Sequence, residues 1–161
     1  MAQLVKDYKL TASIFNKNNK DSLNTDLIFA PVDTEDANTT LNKSMEFIKN
    51  ITSPNNQMGL SNEDILLVAK DSVLKLVQSE QKDLNNAVDE ISEQIDNIDS
   101  NLIKGDALIY IENGINLSTK DTNNIINAIY KKLDKDSSIY SCVHNSGSTL
   151  RISAMIALKH A

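Results

Sequence analysis

The stretch DALIYIE at residues 106–112 constrains the fold more than any other, because both of its faces are apolar. Alternate side chains of an extended strand point to opposite sides. Ala107, Ile109 and Ile111 therefore face one way, and Leu108 and Tyr110 the other. A strand with two apolar faces belongs at the centre of its sheet. Aromatics make up only 4% of the chain, so Leu, Ile, Val and Ala must fill whatever interior surrounds it.

The flanking patterns supply strands and helices in mixed order. YKLTASIF (8–15) alternates Leu10, Ala12 and Ile14 with Lys9, Thr11 and Ser13, the period of a half-buried strand. A polar loop, NKNNKDSLNT, leads to DLIFAPV (26–32), which reads as an edge strand or one that ends at Pro31. A helix is expected over 34–50, with Ala37, Leu41, Met45 and Ile48 on one face, acids in its first turn and lysines later. ITSPNNQMG (51–59) is a loop. A second helix over 61–71 has Ser61 or Asn62 as cap and Ile65, Leu66 and Ala69 as its apolar positions. SVLKLVQSE (72–80) either extends that helix or forms a strand.

Residues 81–102 form an amphipathic helix in which Leu84, Val88, Ile91, Ile95 and Ile98 step by four and three. The opposite face carries Asp83, Asp89, Glu90, Glu93, Asp96 and Asp99. The stripe, continued to Leu102, has heptad spacing but covers under three heptads, so a helix laid on a sheet is favoured over a coiled coil. After the 106–112 strand, Ser118 opens a further helix with Asp121 in an approximate capping box and Ile125, Ile126, Ile129 and Leu133 inward. SSIYSCV (137–143) and TLRISAMIAL (149–158) are strands joined by the short turn HNSGS. The whole is expected to be one α+β domain over 1–161, with helices packed on a mixed β-sheet.

Composition excludes several functions. A formal charge of −6 opposes binding to nucleic acid or to an anionic membrane, both of which need clustered Lys and Arg. No apolar run reaches the length of a bilayer span, and MAQLVKDYKL lacks a signal-peptide core. The single Cys142 forbids an intramolecular disulfide and suits a reducing cytoplasm.

Chemistry-bearing clusters are sparse. Gly59, Gly105, Gly114 and Gly147 each stand alone, whereas a phosphate-cradling loop needs several close together. The chain is thus not expected to hold a nucleotide by itself. Cys142 and His144 could ligate a metal only with help from elsewhere, and His160 is the one other histidine. The favoured reading makes Cys142 a buried apolar residue and His144 a strand-end histidine, with no metal and no cofactor. A ligand pocket beside the sheet is a further reading, for which no convergent polar cluster is visible.

Read from Gly105, GDALIYIENGINLSTKDTNNIINAIYKKLDKDSSIYSCV resembles the C-terminal domain of the FtsZ/tubulin superfamily. Asn113-Gly114 stands at the family's glycine-pair turn, Leu117-Ser118 at its Leu-Thr step and Asp121 at its helix-start acid. Ile125 and Ile126 lie in its helix stripe, Asp134-Lys135-Asp136 at its acidic turn, and Leu150-Arg151-Ile152-Ser153 in its Arg-containing last strand. Upstream, ITSPNNQMGLSNEDILLVAKD resembles the family's acidic loop through Gly59-Leu60, Asn62 and Asp64. The loop's second acid falls at Leu67 and is missing. The resemblance implies that residues 72–80 form a strand and that 34–50 correspond to the end of the interdomain helix. It leaves residues 1–33 as additional N-terminal strands without a counterpart.

The family's glycine-rich GTPase domain is missing from this sequence. The resemblance therefore implies a non-catalytic interaction or regulatory domain, connected with the cytoskeleton or cell division. Its expected partner is another protein or a second copy of itself. The alternative is a subunit that presents Asn62 and Asp64, the only candidate catalytic residues, to a nucleotide site on another chain.

Overall fold

The computed structural model describes residues 10–18, 24–53, 59–133 and 136–159, together with the backbone of 2–5. Tyr8, Lys9, residues 19–23 of the first polar loop, Pro54, the turn residues Asp134 and Lys135, and His160 lie outside them. In chain order the elements are β1 (Ala2–Val5), β2 (Leu10–Ile14), β3 (Leu27–Phe29), α1 (Ala37–Ile51), α2 (Asn62–Ala69) and β4 (Val73–Gln81). They continue with α3 (Leu84–Asp96), β5 (Ile103–Asn113), α4 (Thr119–Tyr130), β6 (Ile139–His144) and β7 (Leu150–Leu158).

The strands form one mixed sheet in the order β1-β2-β3-β4-β7-β5-β6. β5 is interior to it, parallel to β6 on one side and antiparallel to β7 on the other. Its two faces feed two separate cores. Leu108 and Tyr110 pack with Leu41, Phe47, Ile48 and Ile51 of α1 and Ile65 and Val68 of α2. Ala107, Ile109 and Ile111 pack with Ala87, Ile91 and Ile95 of α3 and Ile125 and Ile129 of α4. The architecture is therefore α+β, a mixed sheet with helices on both faces. The stripe of α3 is spent on the sheet, where each buried isoleucine contributes roughly 1.5–3 kcal/mol, and this decides against a coiled coil.

Residues 72–80 are a strand, not an extension of the preceding helix. α2 stops where Lys70 leaves the helical range with a ψ of 125° and Asp71 follows with a left-handed φ of 53°, and the Lys104 ammonium holds that turn by donating to the carbonyls of Lys70 and Asp71 and to Ser72 Oγ. Other expectations shift in detail. α1 begins at Ala37, which is exposed, and Asp36 caps it by accepting from the Thr39 N–H at 2.7 Å, so its first turn holds no acid. α3 ends at Asp96, leaving Ile98 and Leu102 beyond the helix. β3 is no edge strand: it lies between β2 and β4, tolerable because it ends before Pro31. In α2 the inward residues are Ile65, Val68 and Ala69, and Leu66 is exposed.

The largest correction concerns β6 and β7, which are not a hairpin, because β5 lies between them. The β5–α4–β6 crossover places β6 parallel on one edge of β5, and β7 takes the other. The HNSGS segment must then cross the end of β5, where it presses on Gly114. The Gly114 N–H donates to Thr149 O at 2.9 Å. A Cβ on Gly114 would meet Thr149 O at 2.5 Å and Gly147 C at 2.7 Å, both backbone atoms. Asn113 organises the adjoining turn: its amide donates to Leu117 O, while its side-chain oxygen accepts from the N–H groups of Ile115 and Leu117.

Gly114→Ala should therefore lower unfolding free energy by roughly 1–3 kcal/mol in urea titrations, as overpacking against backbone does. Gly147→Ala meets no neighbouring atom but has a φ of +75°. It should cost about 1 kcal/mol. An unfolding free energy left unchanged by Gly114→Ala would refute the crossing-strand account of Gly114.

Candidate functional site

The family-like loop leads into α2, whose first turn is a complete capping box. The Asp64 N–H donates to Ser61 Oγ at 3.2 Å, and the Asp64 carboxylate accepts from Ser61 N–H and Oγ, both at 3.0 Å. Asp64 thus has a structural task, satisfying donors at a helix start. Asn62 is the first residue of the same helix and half-buried. Leu67, at the position of the family's second acid, is 62% exposed, and its neighbour Leu66 is 38% exposed. With Glu63, Lys70 and Asp26 the two leucines line a shallow hollow of about 560 Å³. The structure therefore keeps Asn62 and Asp64 together at the start of α2 and sets an exposed apolar pair further along the same helix.

Cys142 is buried in β6, and burial pushes its thiol above the ordinary cysteine range. His144 lies two residues on along the same strand. Among the described residues no group of three His, Cys, Asp or Glu is arranged to hold a metal ion.

A polar groove of about 450 Å³ between α1 and the sheet is the feature the sequence reading missed. Its floor consists of two rows that run across β4, β7 and β5. In one row Arg151 sits opposite Glu80 on one side and Glu112 on the other. Its guanidinium lies 3.1 Å from Glu80 and 3.5 Å from Glu112. In the next row Ser153 lies between Gln78 and Tyr110 and accepts from the Gln78 amide at 3.2 Å. Lys43, Glu46 and Asn50 of α1 form the wall. The pattern was present in three separate strands: Leu74 and Leu76 give way to Gln78 and Glu80, Leu108 to Glu112, and Met155 to Ser153 and Arg151. Only the strand order shows that these changes coincide.

The groove's central charges are paired with one another. Hydrogen bonds from Thr149 and Arg151 hold the Glu80 carboxyl below its usual range, and Glu80 in turn raises Arg151 further. Tyr110 is only 5% exposed, and burial, with the Glu112 charge behind it, pushes its hydroxyl up to about 12. Near neutrality Tyr110 is a proton donor and Arg151 a compensated cation.

No protein-family model matches this sequence, and no curated protein matches it. Solved structures do. The FtsZ dimer of M. jannaschii superposes over 85% of this chain and 48% of its own, with a TM-score of 0.59 and 12% identity. CetZ from Methanosaeta thermophila covers 88% of this chain and 46% of its own, at 0.62 and 11%. TubZ of Bacillus thuringiensis serovar israelensis, solved as GDP-form protofilaments, covers 77% and 36%, at 0.55 and 13%. The chain spans less than half the length of each. At these identities the likeness is one of fold, and it is consistent with the C-terminal part of the FtsZ/tubulin architecture that the sequence resembles. No helix among the described residues is long and apolar enough to cross a membrane.

A group with a depressed folded-state pKa stabilises above its unfolded value, and the effect is lost as pH falls through the folded one. Glu80 is such a group, with an ordinary value of 4.5. Glu80→Gln should therefore remove stability near neutral pH and flatten the decline of stability below pH 4.5. Urea midpoints measured between pH 7 and 3 check this, and an unchanged acid limb would refute it.

Proposed function

We propose that this chain is a non-catalytic interaction domain that docks onto a cytoplasmic protein of the cytoskeletal or division machinery. The observation that carries the reading is the Leu66–Leu67 pair. Two adjacent exposed leucines on one helix form an apolar patch, and docking against it would remove that area from water. It occupies the place where the resemblance puts an acidic loop. The Asp64 carboxylate is engaged in its own helix cap, which supports contact over chemistry. The similar FtsZ was solved as a dimer and the similar TubZ as protofilaments.

The second reading, presentation of Asn62 and Asp64 to a nucleotide held by another chain, rests on the fact that both residues sit at the start of α2. One experiment separates the two. The protein is mixed with a purified FtsZ-type GTPase, and co-sedimentation and GTP turnover are measured together. Co-sedimentation that falls at least tenfold in Leu67→Asp, with turnover unchanged, supports docking. Stimulated turnover that is lost in Asp64→Gln, a change that keeps the capping hydrogen bonds while removing the charge, supports the second reading. Binding indifferent to Leu67→Asp would overturn the assignment of the contact surface.

A further inference from the structure

We propose that β6 is a homodimerisation edge, joining two copies of the chain through an antiparallel β6–β6 seam centred on Ser141. Among the described residues β6 is the last strand of the sheet and pairs only with β5. The Ala107 N–H donates to Ser138 O, which turns the even-numbered residues of this segment toward β5. Backbone N–H and C=O groups of one strand residue point to the same side. Ile139, Ser141 and Val143 thus direct theirs outward, where no backbone partner exists among the described residues.

Open sheets ordinarily protect such an edge with lysine, proline, a bulge or an inward charge. IYSCVH has none of these: it is uncharged, its register with β5 is unbroken, and Ile, Tyr and Val favour extended pairing. An occupant must therefore be an extended strand, and β6 itself fits. A two-fold at Ser141 pairs Ile139 with the mate's Val143 and Ser141 with the mate's Ser141. All three outward residues then meet outward residues. On the other face Tyr140 meets the mate's Cys142, so no like charges oppose one another.

Charge does not oppose the same occupant. The chain carries −6, yet between residues 119 and 144 four lysines stand against three aspartates. Two copies can approach along this edge without bringing their acidic surfaces together. α4 bridges β5 and β6 in sequence and packs on Ile109 and Ile111 as well as Ile139 and Val143. The same two-fold then sets the two α4 helices antiparallel at about 10 Å, ordinary helix-packing distance.

The test is sedimentation of the full chain over a range of concentrations, and the wild type is expected at twice the chain mass. Ser141→Pro removes one outward N–H without touching the ladder to β5, and Ser141→Lys sets two like charges opposite each other only in the dimer. Both variants should sediment as folded monomers with unchanged circular dichroism. Ser141→Cys in a Cys142→Ala background should form a covalent dimer on mild oxidation. Val143→Cys in that background should not, because its mate's equivalent lies beyond disulfide reach. A monomeric wild type, or a dimer indifferent to both Ser141 substitutions, would overturn the proposal. Leu67→Asp should leave the dimer intact, so failure here and failure of the docking surface on α2 are distinguishable.

Discussion

Everything in this fold depends on the burial of β5 from both sides. Its residues from Ala107 to Ile111 leave no solvent-facing side, so helices must cover both faces and strands must flank both edges. α1 and α2 meet Leu108 and Tyr110, and α3 and α4 meet Ala107, Ile109 and Ile111. With β6 placed by the α4 crossover, β7 enters on the other edge between β4 and β5. The close passage over Gly114 follows from that insertion, since the β6–β7 connection has to cross the end of β5.

The same arrangement separates three distinct surfaces. Toward the ends of β4 and β5, the face under α1 turns from apolar to polar in register, and the Arg151 row and the Ser153 row form the floor of a groove. The exposed leucines of α2 lie away from it, on another element. The outer edge of β6 is a third surface, lacking the charges that cover α3. Each presents a different physical handle: fixed polar groups, apolar area and unpaired backbone.

Legibility from sequence followed the range of the interactions involved. The capping box at Ser118 was readable because its partners lie three residues apart, the cap of α2 was narrowed to Ser61 or Asn62, and the central position of β5 was readable from its own alternation. Leu66 was misplaced because the stripe of a short helix tolerates a rotation of one residue, and packing against β3 and β5 decided for Val68. β6 and β7 looked like a hairpin because a short turn joins them, and nothing local reveals that a third strand lies between. The groove was invisible for a similar reason. Its polar residues come from four elements and fall on one patch only through strand order.

Sequence by itself determined most of the elements, the cap at Ser118 and the two-faced strand that requires an α+β core, because these rest on contacts within a few residues. Tertiary structure alone decided strand order, the crossing above Gly114, the convergence of Gln78, Glu80, Tyr110, Glu112, Arg151 and Ser153, and the exposure of β6. These depend on which distant segments share an edge or a face, a choice made by the joint burial of both sides of the sheet and by no single segment.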